Sequence, residues 1–181
     1  PNGVPNEFWK SLRTDPRLKF ELLHLINMCL HSGRLPDSWA YGDVVALYKK
    51  GDPTLPQNYR PITLLDTCYK IFTRLLTNRL AAAVDKFQRP TQMGFRKGRS
   101  TAHAIHLVRR TIEALFYKAD TDLTLILLDW SKAFDSVSTC ALKDALLAFG
   151  IRGKFLQAIL NTFTSYFRVL GRAGDPDSGY F

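Results

Sequence analysis

The sequence is poor in cysteine, lacks a long apolar run and contains no repeat or low-complexity segment. Its three cysteines, Cys29, Cys68 and Cys140, are odd in number and far apart, which argues against a disulfide framework and predicts reduced core residues of an intracellular protein. No apolar stretch approaches the roughly 20 residues of a membrane span, so we expect no membrane contact. The start at Pro1 resembles neither a signal peptide nor an initiator methionine, which predicts a piece of a longer chain.

Acidic residues are also scarce, because 16 Asp and Glu stand against 25 Lys and Arg and leave a net charge of +9. The excess is concentrated in a basic stretch, residues 86–112, which contains no acidic residue. Its basic members are Lys86, Arg89, Arg96, Lys97, Arg99, Arg109 and Arg110. Interleaved glycines and a phenylalanine suit a polyanion that runs past flexible backbone and an aromatic face. A solvated basic face is the alternative.

Hydrophobic periodicity and capping residues predict a helix-rich α+β protein. Strands are expected over residues 43–48 and 123–128. Helices are expected at residues 7–13, between Asp15 and Gly33, from Asp66 to before Pro90, from Ser100 or Thr101 onward, at 139–149 before Gly150, and at 154–167. The helix after Asp66 is expected to bury Cys68, Phe72, Leu75, Leu76, Leu80, Ala83 and Val84. The helix after Ser100 is expected to bury Ala104, Ile105, Val108, Ile112, Leu115 and Phe116.

A carboxylate at the end of an apolar run is the sharpest chemical signal. Residues 123–128 are typical of a strand buried on both faces, which puts Asp129 at its carboxyl end. A carboxylate at the end of that strand is suited to bind a hard metal cation. The following turn, residues 130–135, would aim backbone N–H groups at a phosphate. The plain alternative is that Asp129 ends the strand and caps the next turn.

Two histidines, His103 and His106, share one face of the predicted helix after Ser100. No cysteine or carboxylate lies nearby in the sequence to complete a zinc site. A structural or nucleic-acid-facing role is therefore expected for both.

Five ordered blocks carry a family resemblance. They are VVALYKKGD at residues 44–52, NYRPITLL at 58–65, YKI and NRL at 69–71 and 78–80, QMGFRKGRST at 92–101, and LDWSKAFD at 128–135. In order and spacing they resemble the reverse transcriptase domain of non-LTR (LINE-type) retrotransposons, over residues 1 to about 167. The resemblance implies a right-hand polymerase fold, with residues 1–115 as fingers and 116–181 as the start of the palm.

The resemblance also implies an activity, RNA-directed DNA polymerisation by nucleotidyl transfer with two Mg²⁺ ions. RNA template and DNA primer would be the partners and deoxynucleoside triphosphates the substrates. Asp129 would be the catalytic, metal-binding aspartate, assisted by the main-chain carbonyl of Trp130, and Phe134 would exclude a ribose 2′-OH. The implied nucleotide-binding residues are Lys49, Arg60, Lys132, Ala133 and Phe134. The implied template-binding residues are Gln92, Gly94, Phe95, Arg96, Lys97 and Arg99.

Two departures from the family pattern leave alternatives open. The paired aspartates of the family's Y-x-D-D motif do not occur in these 181 residues, so the isolated chain is expected to be inactive. Ala173 stands where the family's R-Q-G-D-P-L-S-P block has glutamine. A non-catalytic nucleic-acid-binding remnant is therefore one alternative. An RNA-dependent RNA polymerase is another, which the bulky ring of Phe134 disfavours.

Overall fold

Six helices and three strands form the described part of the chain. The computed structural model describes residues 3–118, 122–130, 133–134, 136–171 and 178–179. The helices are α1 (Asn6–Ser11), α2 (Pro16–Ser32), α3 (Thr67–Val84), α4 (Thr101–Phe116), α5 (Thr139–Ala148) and α6 (Gly153–Asn161). The strands are β1 (Tyr41–Tyr48), β2 (Tyr59–Leu64) and β3 (Tyr166–Val169), and short 3-10 helices cover Asp37–Ala40, Pro56–Asn58 and Asp85–Phe87. This mixed, helix-rich architecture agrees with the predicted α+β class, and none of the helices in the described ranges is long and apolar enough to cross a membrane.

Local capping decides where helices α2 and α4 begin. The Asp15 carboxylate accepts hydrogen bonds from the N–H groups of Arg17 and Leu18 at 2.8 and 3.4 Å, with Pro16 in the first helical position. Before α4, the backbone N–H of Ser100 donates to Nδ1 of His103 at 3.0 Å. Both predicted starts are confirmed, and His103 has the structural role that was one of its two expected roles.

Helix α3 begins as predicted but fully buries only Phe72 and Leu76 of its predicted face, together with Tyr69. The Asp66 carboxylate accepts from the N–H of Cys68 at 2.7 Å, and the helix then buries Tyr69, Phe72 and Leu76. Leu75, predicted to be inside, is 40% exposed, and the remaining predicted core positions of α3 are half-buried. The prediction missed Tyr69 because its place is set by a distant partner, the carbonyl of Thr162, to which its hydroxyl donates at 2.8 Å.

The sheet has the strand order β2-β1-β3. Strands β1 and β2 are antiparallel with Val45 opposite Ile62, and β1 and β3 are parallel with Tyr41 opposite Tyr166. The prediction of one helix over residues 154–167 is wrong, because α6 ends at Asn161 and Tyr166–Val169 is a strand. Aromatic and β-branched residues in that segment suit a strand, and the edge of β1 supplies its ladder partners.

Eleven apolar residues are buried in the part of the chain that the structure describes. They are Ile26, Cys29, Trp39, Tyr69, Phe72, Leu76, Leu146, Ile151, Leu156, Ala158 and Ile159. The ring of Trp39 lies 5.9 Å from that of Tyr69 and 5.5 Å from that of Phe72, so the 3-10 helix after α2 packs on α3. Of the three cysteines predicted to be core residues, Cys29 is buried and Cys68 half-buried, whereas Cys140 is exposed. Burial raises the pKa of the Cys29 thiol, which disfavours the reactive thiolate.

Two predicted apolar elements are not buried, and both expectations need correction. Residues 122–130 form neither helix nor strand, and Leu127 and Leu128 are 87% and 84% exposed. A strand buried on both faces needs ladder partners on its edges, and within the described residues the only sheet consists of β1, β2 and β3. Helix α4 forms as predicted but buries no residue, with Ile105 67% exposed.

The described residues divide into two compact units. The core unit comprises Pro1–Leu76 with Thr139–Phe181, and the exposed unit comprises Thr77–Ser138. All eleven of these buried apolar residues belong to the core unit. The predicted division at residue 115 concerns the subdomains of a polymerase rather than packing density, and it stays a prediction.

Candidate functional site

Lys49 and Arg60 lie on the hairpin of β1 and β2 in the core unit. Arg60 stands directly opposite Leu47 in the register, and the ladder continues past β1 because the N–H of Lys49 donates to the carbonyl of Asn58 at 2.8 Å. Side chains alternate along a strand, and directly opposed residues share a face. Lys49 and Arg60 are therefore on the same face as Leu47, and both are exposed.

The loop between the two strands is held by its own side chains. Asn58 donates from Nδ2 to the carbonyl of Asp52 at 2.8 Å, and the hydroxyl of Tyr59 donates to the carbonyl of Pro53 at 2.8 Å. Gly51 has a φ of +95°, and a Cβ there would stand 2.8 Å from Nδ2 of Asn58. Hydrogen bonds from Thr54 lower the pKa of the Asp52 carboxyl. The hairpin that carries Lys49 and Arg60 is thus stabilised by hydrogen bonds within its own loop.

Asp129 and Trp130 lie in the irregular segment of the exposed unit. The carboxylate of Asp129 and the ring of Trp130 are both exposed, the latter by 81%. In the part of the chain that the structure describes, no three His, Cys, Asp or Glu side chains come together as a metal site. Lys132, a predicted nucleotide-binding residue, lies outside the described residues.

Phe95 and Phe134 form an aromatic pair on the exposed unit. Their ring centroids are 6.1 Å apart and their planes meet at 87°, an edge-to-face contact. Both rings are open to solvent, with 95% and 81% exposure. The backbone of Phe95 has a φ of +60°, a left-handed conformation that is uncommon outside glycine. Ala133, beside Phe134, is exposed as well.

The block from Gln92 to Arg99 is a loop that leads into α4. Gln92 turns back on the loop, since its Nε2 donates to the carbonyl of Gly94 at 3.2 Å. Lys97 and Arg99 are exposed and form no ion pair with another described residue, whereas Arg96 is paired with Asp85 at 2.8 Å. The predicted template-binding residues thus differ among themselves in how open they are to a ligand.

The acidic residues that flank the basic stretch pair with three of its seven basic residues. Asp85 binds Arg96, and Glu113 binds Arg109 and Arg110 at 2.8 and 3.1 Å. None of these ion pairs was predicted, although Asp85 and Glu113 lie immediately outside the stretch. Arg109 and Arg110 are 77% and 68% exposed, so their pairs are weak and can exchange for a phosphate. The ion pair of Arg96 is different, because that side chain is only 11% exposed.

Comparison with known proteins gives one consistent result. Residues 48–176 match the family model described as reverse transcriptase (RNA-dependent DNA polymerase). The RNA-directed DNA polymerase from the mobile element jockey of Drosophila melanogaster is 33% identical over 137 residues, 71% of this chain and 14% of that protein. The probable RNA-directed DNA polymerase from transposon BS of the same species is 30% identical over 139 residues, which cover 75% of this chain and 15% of that protein.

A third relative extends the match. The retrovirus-related Pol polyprotein from the retrotransposable element R2 of Popillia japonica is 30% identical over 160 residues, 87% of this chain and 21% of that protein. The chain therefore spans between about one seventh and one fifth of the length of these three relatives.

Proposed function

This chain belongs to the reverse transcriptase (RNA-dependent DNA polymerase) family, among the non-LTR retrotransposon polymerases, and from that premise we propose that it forms part of an enzyme that copies RNA into DNA. In this proposal residues 1–115 act as fingers and 116–181 as the start of the palm. RNA template, DNA primer and deoxynucleoside triphosphates are the ligands of the whole enzyme.

The contact between Phe95 and Phe134 is the observation that carries the proposal. The family resemblance assigns Phe95 to the template block and Phe134 to the sugar of the incoming nucleotide. A templated polymerase must hold the incoming nucleotide beside the templating base, and two exposed rings in edge-to-face contact would meet that requirement. The ring of Phe134 would then fill the space that a ribose 2′-OH needs.

Lys49 and Arg60 supply the charge that a triphosphate requires. Phosphoryl transfer is catalysed mainly by positioning and by neutralisation of charge on the phosphate oxygens. The cationic side chains of Lys49 and Arg60, on one face of a hairpin whose loop is held by its own hydrogen bonds, are suited to neutralise phosphate charge. Arg60 precedes Pro61, which favours extended backbone, and its planar guanidinium can bind two phosphate oxygens at once.

Asp129 is proposed as one carboxylate ligand of Mg²⁺, with the main-chain carbonyl of Trp130 beside it. The family uses divalent metal ions, which stabilise the attacking and leaving oxygens when bound. The described residues alone do not fit a complete metal site, because no three acidic, histidine or cysteine side chains among them come together. The assignment therefore extends to this one ligand.

Two aspartates of the same exposed segment allow a matched test. In a full-length polymerase that carries this segment, Asp129→Ala should reduce primer extension on an RNA template by roughly 100-fold or more, because a metal ligand contributes several kcal/mol to the transition state. Asp122→Ala removes an equal charge seven residues earlier, and its rate should stay within about threefold of wild type. Equal rates for the two variants would contradict the assignment of Asp129.

A further inference from the structure

Arg96 is set apart from the other basic residues of its stretch by what surrounds it. Its side chain is 11% exposed, against 77% for Arg109 and 68% for Arg110. A cation that neutralises phosphate must present its N–H groups to the ligand. Two of the three guanidinium nitrogens of Arg96, Nε and Nη1, already donate to acceptors within the protein.

Three acceptors share the guanidinium of Arg96. Its Nε donates to the carboxylate of Asp85 at 2.8 Å, and its Nη1 donates to the carbonyls of Arg89 at 3.0 Å and Gln92 at 3.4 Å. The carbonyl of Arg89 also accepts the backbone N–H of Gln92 at 3.0 Å. The planar guanidinium of Arg96 therefore links the 3-10 helix Asp85–Phe87 to two carbonyls of the following turn, those of Arg89 and Gln92.

The turn held in this way carries the exposed ring of Phe95. Phe95 directly precedes Arg96 and has the strained φ of +60°. A non-glycine residue keeps such a backbone only where the surrounding contacts over-determine it. The contacts of Arg96 with Asp85, Arg89 and Gln92 supply that constraint, and they leave the ring pointing into solvent beside Phe134.

We infer that Arg96 is a positioning residue, which with Asp85 holds the turn that presents Phe95 to single-stranded RNA, and that it makes no phosphate contact. The part that concerns RNA rests on the proposed function. Lys97 and Arg99, which are exposed, are left as the phosphate contacts of the loop. The depressed pKa of the Asp85 carboxyl, caused first by the hydrogen bond from Arg96, is in line with this pairing.

Arginine-to-lysine exchange at Arg96 in the loop and at Arg74 on α3 tests the inference. Lysine keeps the positive charge but lacks the planar guanidinium that donates to the three acceptors at once. Arg96→Lys should therefore weaken binding of a labelled single-stranded RNA by roughly tenfold. It should leave the slope of log affinity against log salt unchanged, and it should accelerate hydrogen exchange of the Gln92 amide. Arg74→Lys, the matched control at an exposed position of α3 to which no binding role is assigned, should change affinity by no more than about twofold and should not affect that amide.

Asp85→Asn distinguishes the two possible roles of Arg96, because they predict opposite changes in RNA affinity. Removal of a negative charge should tighten binding to RNA if Arg96 contacts phosphate, whereas loss of the positioning contact should weaken it. Tighter binding, or equal effects of the two lysine variants, would overturn the inference. Unchanged exchange of the Gln92 amide in Arg96→Lys would also overturn it, whatever the RNA result. The wild-type chain could fail to bind RNA while Arg96→Lys still accelerates hydrogen exchange of the Gln92 amide. In that case the proposed RNA-binding function of the loop is wrong, and only the role of Arg96 in holding the turn is confirmed.

Discussion

The core unit and the exposed unit are built from similar helices but differ completely in burial. All eleven buried apolar residues lie in the core unit, and the described residues of Thr77–Ser138 contain no buried residue. Helix α3 passes from one unit to the other, and its buried positions stop at Leu76. Burial thus follows the presence of a packing partner rather than the apolar pattern of the helix.

Helix α4 makes the same point from the other side. Its apolar residues recur at helical spacing, yet Ile105 and Phe116 are 67% and 83% exposed. An amphipathic pattern predicts that a helix forms and which of its faces is apolar. It does not say what covers that face. Most of the residues that the family resemblance assigns to template, sugar and metal lie in this exposed unit, whereas Lys49 and Arg60 lie in the core unit.

The largest expected effect compares one phenylalanine from each unit. Phe72 is 1% exposed and packs against Trp39, so Phe72→Ala should lower the free energy of unfolding of the 181-residue chain by about 3–5 kcal/mol. Phe116→Ala in α4 removes an equal volume from an exposed position and should cost less than about 0.5 kcal/mol. Urea denaturation followed by circular dichroism measures both, and similar losses would show that the exposed unit is packed in solution.

A smaller effect compares an ion pair from each unit. Arg168 donates to Asp43 across the parallel pair of β1 and β3 at 2.8 and 3.1 Å, and the Asp43 side chain is 13% exposed. Asp43→Asn should therefore lower the free energy of unfolding by roughly 1–2 kcal/mol, because it weakens the pairing of a partly buried guanidinium. Glu113→Gln breaks two exposed pairs on α4 and should cost less than about 0.5 kcal/mol. The reverse order in the same denaturation experiment would contradict the assigned difference.

The smallest effect concerns pH and the turn of the exposed unit. The hydrogen bond from Arg96 lowers the pKa of the Asp85 carboxyl, and the charge of Arg99 acts in the same direction. A depressed folded pKa means that the stabilisation is fully present above the ordinary aspartate value of about 3.9 and is lost as the pH falls through the lower folded value. The NMR signal of the Arg96 Nε–H should therefore stay constant from pH 7 to 5 and change only below about pH 4. A signal that already resembles free arginine at neutral pH would contradict the pairing.

Sequence alone was sufficient for the helix ends, which depend on residues within about four positions. Asp15 and Pro16 start α2, Gly33 ends it and Asp66 starts α3, because a capping side chain and its N–H partners are neighbours along the chain. The family blocks at residues 44–52 and 92–101 were recognisable for a related reason, since order and spacing are properties of the sequence itself. The site roles assigned through them, Asp129 and Phe134 included, stay predictions.

Tertiary structure decided what depends on partners far along the chain. Strand β3 forms where a helix was predicted, because β1 lies more than 110 residues earlier and supplies its ladder. Residues 122–130 have the composition of a buried strand, yet the described residues provide no ladder for them. In the sequence, the seven basic residues of the stretch are indistinguishable in charge. In the structure, the guanidinium of Arg96 donates to the carboxylate of Asp85 and to two main-chain carbonyls. Hydrogen bonds and burial are properties of three-dimensional neighbours, and a pattern along one chain specifies those neighbours only when they are also close in sequence.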